Sequence, residues 1–263
     1  MFAPDSIYTS VIYGRLVGRD AILAALSRMD QSLGGLTREV QDVVIDGPFV
    51  AIRYLVRAVH DREYQGIPPT GRDIETRGIV IFRLHDGLVA ECWNSMDLHG
   101  RLAQMRAAHA PRPARVPVAE IDAACNPPTR SEMETMVREF FTKVWSAHPS
   151  PGALLAENVV FHPSLGTAVT GIADVEAINA AWWTAFPDMR QRRGEILISG
   201  DLAATWYSAT GTDLGGFHGN TPTGRPVAFE GHIMLRVNCG RIVEIWSATD
   251  VARIMKQLGH ESR

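Results

Sequence analysis

"GIPPTGR" at residues 66–72 and "GNTPTGR" at 219–225 are nearly the same heptapeptide, met twice in one chain. Gly71 and Gly224 lie 153 positions apart, and the same displacement brings many other residues into register without a gap. It superposes Gly18 on Gly171, Gly47 on Gly200, Tyr54 on Tyr207, Gly78 on Gly231 and Arg83 on Arg236. It also superposes Glu91 on Glu244, Trp93 on Trp246, Asp97 on Asp250 and Gln104 on Gln257. One register held from near the N-terminus to Gln104 is the mark of a tandem duplication. The length of 263 residues agrees, since single domains centre on about 100–150.

The copies span 1–105 and 130–263. Residues 106–129 between them are rich in Pro, Ala and Arg and read as a linker. Because Met1 aligns with Leu154, the stretch 130–153 has no counterpart in the first copy. That stretch reads as a helix. Thr129 with Glu132, or Ser131 with Glu134, offers a capping box, and Met136, Val137, Phe140, Phe141, Val144 and Trp145 recur at helical spacing. The first copy therefore lacks the opening helix of its twin. Its sheet should expose an apolar face unless part of the linker or a segment of a second molecule fills the place, or the chain begins at an internal methionine.

Each copy continues with an amphipathic helix, carrying Ile22, Ala25, Met29 and Leu33 in one and Val175, Ile178, Trp182 and Phe186 in the other. Strand-like runs follow, then the PTGR loop, a hairpin ("GIVIFRLHDGLVAECW" or "GHIMLRVNCGRIVEIW") and a short closing helix. Helices first and a long antiparallel sheet afterwards predict an α+β architecture. The "HDG" and "NCG" turns suit three-residue loops with a left-handed Gly, which sets Val237 opposite Arg241 and His232 opposite Trp246. Alternation then sorts Ile233, Leu235, Val243 and Ile245 onto one face. Glu230, His232, Met234, Arg236, Glu244 and Trp246 fall on the other, with Asp250 at the same parity. Both faces are apolar enough to need cover. The expectation is that the His232 face lines a pocket, and that the Ile233 and Leu235 face, with Val80 and Phe82, meets the other copy.

A formal charge of −3 favours neither nucleic acid nor an acidic membrane. No apolar run approaches the ~20 residues of a membrane span, and "MFAPDSIYTS" has no export signal, so a cytoplasmic protein is expected. Cys92, Cys125 and Cys239 show no CxxC spacing and suggest neither a disulfide framework nor a zinc site. No metal motif, serine-nucleophile elbow or phosphate-binding Gly-rich loop is present. The expectation is chemistry without metal or cofactor.

The order GxxPTGR, RxxxGxxxExWxxxD and QLG, with "AFPDMR" at 185–190 and "GT" at 211–212, resembles the SnoaL-like polyketide cyclases of the nuclear transport factor 2-like and ketosteroid isomerase-like superfamily. The resemblance covers 130–260 fully and 2–105 more weakly. It implies two cone-shaped domains, each a curved, mostly antiparallel sheet closed by helices. It also implies that the tandem copies form an intrachain pseudo-dimer, alone or within a homodimer. In the family an Asp after the ExW strand acts as acid/base, which points here to Asp250 and, in the first copy, to Asp97. An apolar cone would raise the pKa of such a carboxylate into a range suited to proton shuttling. His232 is the candidate hydrogen-bond donor to an enolate oxygen, with His218 second. Trp182, Phe186, Met234 and Trp246 are the candidate substrate-binding residues. The same Asp could equally be a helix N-cap, and the aromatic residues plain core. Two functions follow: an acid/base enzyme for a small hydrophobic carbonyl compound, or a non-catalytic binder of a small apolar ligand. At offset 153 the first copy has Ile79 for His232, Ile81 for Met234 and Gln65 for His218, so the second copy is expected to work and the first to be degenerate.

Overall fold

The computed structural model describes residues 1–106 and 121–260. The first repeat runs β1 (Phe2–Ser10), β2 (Gly14–Val17), α1 (Arg19–Gln31), β3 (Gly34–Asp46), β4 (Phe49–His60), β5 (Arg72–His85), β6 (Leu88–Met96) and α2 (Leu98–Arg106). The second begins with α3 (Arg130–Glu139), which continues as one wider turn over Phe140–Val144. Then come β7 (Leu155–His162), β8 (Val169–Thr170), α4 (Ile172–Ala185), β9 (Arg190–Arg193), β10 (Leu197–Ser199), β11 (Leu202–Thr212), β12 (Pro226–Asn238), β13 (Arg241–Thr249) and α5 (Val251–Leu258). The sheets have the matching orders β2-β1-β6-β5-β4-β3 and β8-β7-β13-β12-β11-β10, with β9 beside β11. Neither closes into a barrel.

The repeated residues turn out to hold the framework. Gly71 and Gly224 adopt left-handed φ of 69° and 65°, and their N–H groups donate to the carbonyls of His60 and Asp213. Thr70 bonds the His60 imidazole, and Thr223 donates to the Asp213 carboxylate, at 2.9 Å in both cases. Arg72 donates to the Gln104 and Met105 carbonyls at the end of α2, and Arg225 lies against Gly259 at the end of α5. Both arginines thus meet the negative end of a helix dipole. Gln104 grips both backbone groups of Glu75, and Gln257 grips those of Ala228, its equivalent.

Tyr54 and Tyr207 sit directly across from Gly78 and Gly231 on the neighbouring strand. Each ring occupies the space a Cβ would need; at Gly231 that Cβ would lie 2.6 Å from the Tyr207 oxygen. The Tyr207 hydroxyl shares a 2.7 Å hydrogen bond with Thr249, so the ring is pinned. Gly231→Ala is therefore expected to destabilise the protein by about 1–3 kcal/mol, the usual cost of overpacking. An unchanged thermal midpoint would contradict this.

The core of the second repeat lies between its sheet and its helices. Thr129 and Glu132 form the capping box that starts α3, and Met136, Val137, Phe140, Val144 and Trp145 are buried against Ile233, Leu235 and Ile245. This exchanges the two faces expected from the sequence. The parity assignment holds, but the wholly aliphatic face goes under the helices, where nothing polar need be satisfied. The mixed face, with its charges paired, meets the other repeat. The register also differs. The hairpins close on two-residue turns with both residues left-handed, Asp86-Gly87 and Cys239-Gly240, a geometry that matches strand twist. A bulge next to Arg236 then sets Met234 opposite Trp246 and His232 opposite Ala248.

The seam between the repeats buries Val44, Ala51, Ile79 and Ile81 against Leu202, Ala204, Met234, Trp246 and Ala248. It follows a pseudo-two-fold axis. Trp206 stacks on Trp93 at 5.3 Å, and its equivalent Arg53 lies 4.3 Å over Trp246, the equivalent of Trp93. Arg236 donates across the seam to Asp42 at 2.6 Å and within its own repeat to Asp201 at 2.9 Å.

Among the described residues the first repeat has no counterpart of α3. Val43 and Ile45 are 40% and 62% exposed, whereas their equivalents Ile196 and Ile198 pack on the core of the second repeat. Val80 and Phe82 are half-buried where Ile233 and Leu235 are fully buried. Among the described residues nothing takes the helix's place. Most of the expected linker, 107–120, lies outside the described residues. The described part, 121–129, is held to the other repeat by a disulfide between Cys125 and Cys239. This corrects the expectation of no disulfide: the β12–β13 turn brings together cysteines 114 residues apart, which spacing alone cannot show.

Candidate active site

Asp250 ends the β12–β13 ladder, its N–H donating to the Glu230 carbonyl, and its side chain begins α5 by accepting from the Arg253 N–H at 3.0 Å. It is an N-cap, yet it also borders a cavity of about 810 Å³. The cavity is not inside either cone. It lies at the seam, bounded by Thr9–Ile12 of the β1–β2 connection, by Trp93–Ser95 of β6, by α2, and by Glu230, His232 and α5 of the second repeat. Burial pushes the Asp250 carboxyl up to about 6, against the pull of the Arg253 N–H.

His232 shares this cavity and is almost fully buried. Its Nδ1–H donates to the carbonyl oxygen of Ile79, its own equivalent across the axis, at 2.9 Å. Burial lowers its pKa to about 4, so the ring is neutral near pH 7. The donor expected for an enolate is thereby spent, and Nε2 is left as an acceptor.

The other expected site residues lie elsewhere. Trp182 and Phe186 pack with Phe217 and Phe229, with ring centroids 5.0–6.2 Å apart, in the filled interior of the second cone. Met234 and Trp246 belong to the seam. The exchange of faces is what separates Trp182 and Phe186 from Asp250's cavity. His218 is exposed, at φ 54°, and meets His99 edge-on at 6.2 Å.

Asp97 caps α2 through the Gly100 N–H at 2.6 Å, and burial raises its pKa. It borders the pseudo-symmetric counterpart of the large cavity, lined by Ile79, His162, Trp246 and Ala248 but only about 70 Å³ in volume. The larger cavity thus combines an Asp of the second repeat with walls of the first, which no reading of one copy at a time could show. One signal was available: Thr9, Ser10 and Val11 stand where the second repeat has His162, Pro163 and Ser164.

Among the described residues Asp122, Cys125 and Cys239 form a group with metal-ligand proximity. The two sulfurs are bonded to each other and so are not thiolate ligands. No helix of the described residues is long and apolar enough to cross a membrane.

The family model for SnoaL-like polyketide cyclases matches residues 1–105 and 135–258. Among solved structures, a SnoaL-like polyketide cyclase candidate from Jannaschia sp. CCS1 is 19% identical, covering 55% of this chain and 99% of its own, with a TM-score of 0.47. The polyketide cyclase candidate IdmH from Streptomyces antibioticus is 29% identical over 41% of this chain and 83% of its own, with a TM-score of 0.37. AclR from Streptomyces galilaeus, described as a hydroxylase candidate, is 23% identical over 40% and 77%, with a TM-score of 0.36. No curated protein matches the chain.

Proposed function

This chain belongs to the SnoaL-like polyketide cyclase family, and from that premise we propose that the seam cavity is the site of a cofactor-independent acid/base enzyme. It acts on a small hydrophobic carbonyl compound by aldol cyclisation, isomerisation or dehydration. The observation that carries this reading is Asp250, buried on a roomy cavity with its carboxyl held at about 6. Such a group is mostly ionised at pH 7 and takes a proton from the carbon next to a carbonyl. The protonated carboxyl then returns it to oxygen or carbon. His232 Nε2 accepts a hydrogen bond from a substrate hydroxyl and so orients it. Val11, Ile12, Leu98 and Leu102 supply the apolar wall.

The test is deuterium wash-in from D₂O at the carbon next to the carbonyl of 1-tetralone and related aryl ketones, followed by NMR. The protein should accelerate exchange over buffer. Ala252→Trp, which places an indole in the cavity, should abolish the acceleration without unfolding the protein. Aryl ketones that bind yet exchange no faster than in buffer would instead leave a non-catalytic binder.

A further inference from the structure

The same cavity carries a charge pattern that acid/base chemistry alone does not require. Arg15, Arg106, Arg253 and Lys256 all line it and are exposed, with Glu230 the one exposed acid among its lining residues. Elsewhere, Arg53, Arg83, Arg130, Arg236 and Lys143 each have a carboxylate within 4 Å. Among the described residues Arg15, Arg106 and Lys256 have no such partner. Helix dipoles explain only two of the four. Arg106 and Lys256 lie in the last turns of α2 and α5, where cations are favoured. Arg253 sits in the first turn of α5, where a cation is disfavoured, and Arg15 is on β2.

The duplication supplies an internal control. At offset 153 the four positions become Ala168, Gly259, Gly100 and Ala103, all uncharged. The framework residues recur around both cavities, but these four cations do not; the smaller cavity is lined instead by Arg53 and Arg77, each paired with a carboxylate, Asp42 and Glu75, in a chain whose overall charge is −3.

We propose that the ligand of this cavity is an acidic carbonyl compound, an apolar ring system bearing a carboxylate or comparably acidic hydroxyl, whose anionic end is held by this cationic rim. The carbonyl end lies inward at Asp250, and the charge lies outward, away from that carboxylate. This deepens the function proposed above and takes from it only the inward position of the carbonyl.

The probes are anthraquinone-2-carboxylate and its methyl ester, matched in ring and carbonyl and differing in charge. Binding is followed by tryptophan fluorescence, since Trp93 lines the cavity. The acid should bind about tenfold tighter than the ester at low salt, and the gap should narrow at about 0.5 M salt, where screening shortens to a few Å. The double variant Arg15→Gln/Arg106→Gln should weaken the acid about tenfold and move the ester by less than about twofold. Arg253→Gln/Lys256→Gln serves the same purpose if the first variant melts early. Equal affinity for acid and ester, an acid preference that survives both double variants, or no binding of either at millimolar concentration would each overturn the proposal. The two readings fail separately. Acid preference without ketone exchange sinks catalysis alone, and ketone exchange without acid preference sinks the anionic ligand alone.

Discussion

Asp250→Asn is expected to lower turnover by about 10²–10⁴-fold, the usual contribution of a positioned acid/base group, while making the protein more stable at neutral pH. The second half follows from linkage. The folded carboxyl titrates at about 6 rather than 3.8 because burial disfavours its charged form. Its contribution to stability is therefore present below about pH 4 and is lost as pH rises to about 6. Above that, the gap amounts to a penalty on the order of 3 kcal/mol. Asparagine caps a helix as well as aspartate does, so the variant keeps the bond to the Arg253 N–H and loses only the buried charge. Chemical denaturation should show the variant more stable at pH 7.5, with the difference vanishing below pH 4. The wild-type rate, where proton abstraction limits, should climb through pH 6 to a plateau. A residue that is only a buried cap predicts the stability change but neither the loss of turnover nor the rise in rate through pH 6, and unchanged turnover in the asparagine variant would end the acid/base reading.

Reduction of the Cys125–Cys239 bond is expected to cost the folded state about 4–5 kcal/mol, the chain-entropy value for a closed loop of roughly a hundred residues. The bond ties the segment before α3 to the β12–β13 turn, with Asp122 and Asn238 exchanging two hydrogen bonds beside it. The melting temperature should fall by about 10 °C in dithiothreitol, since 1 kcal/mol moves a chain of this size by about 2–4 °C, and Cys125→Ser should melt at the reduced value without reductant. Thiol titration of the denatured protein should find Cys92 alone before reduction and all three cysteines after it. Three free thiols at the outset would refute the bond. A disulfide of this kind persists in an oxidising compartment, which sets it against the cytoplasmic location expected from the N-terminal sequence.

The duplication, the α+β class, the capping box at Thr129 and the absent first helix were all legible, because each rests on spacing within one stretch or on comparing two. The destination of the hairpin faces was not. Alternation tells which residues share a face but not what covers it, and Met234 and Trp246 suit a sheet-to-sheet seam as well as a pocket. Of the expected site residues Asp97 and Trp246 reach the smaller cavity, and only Asp250 and His232 the larger. Its other walls come from residues more than 130 positions earlier, Thr9–Ile12 and Trp93–Ser95. The recurring residues were the ones that build turns and cap helices. Asp250 is itself one of these, recurring as Asp97, and what sets the larger cavity apart lies where the copies differ, at 232 against 79 and at the four rim cations.

The seam places His232 against Ile79, two residues that a true homodimer would be obliged to make identical. Joining the halves in one polypeptide removes that obligation. A substitution near the axis then happens once, and one of two equivalent clefts can close to about 70 Å³ while the other stays at about 810 Å³. Where a symmetric pair of such cones presents two equal clefts, the described residues of this chain present one roomy cleft and one nearly closed, so the two-fold equivalence on which coupling between like sites rests is already broken within the chain.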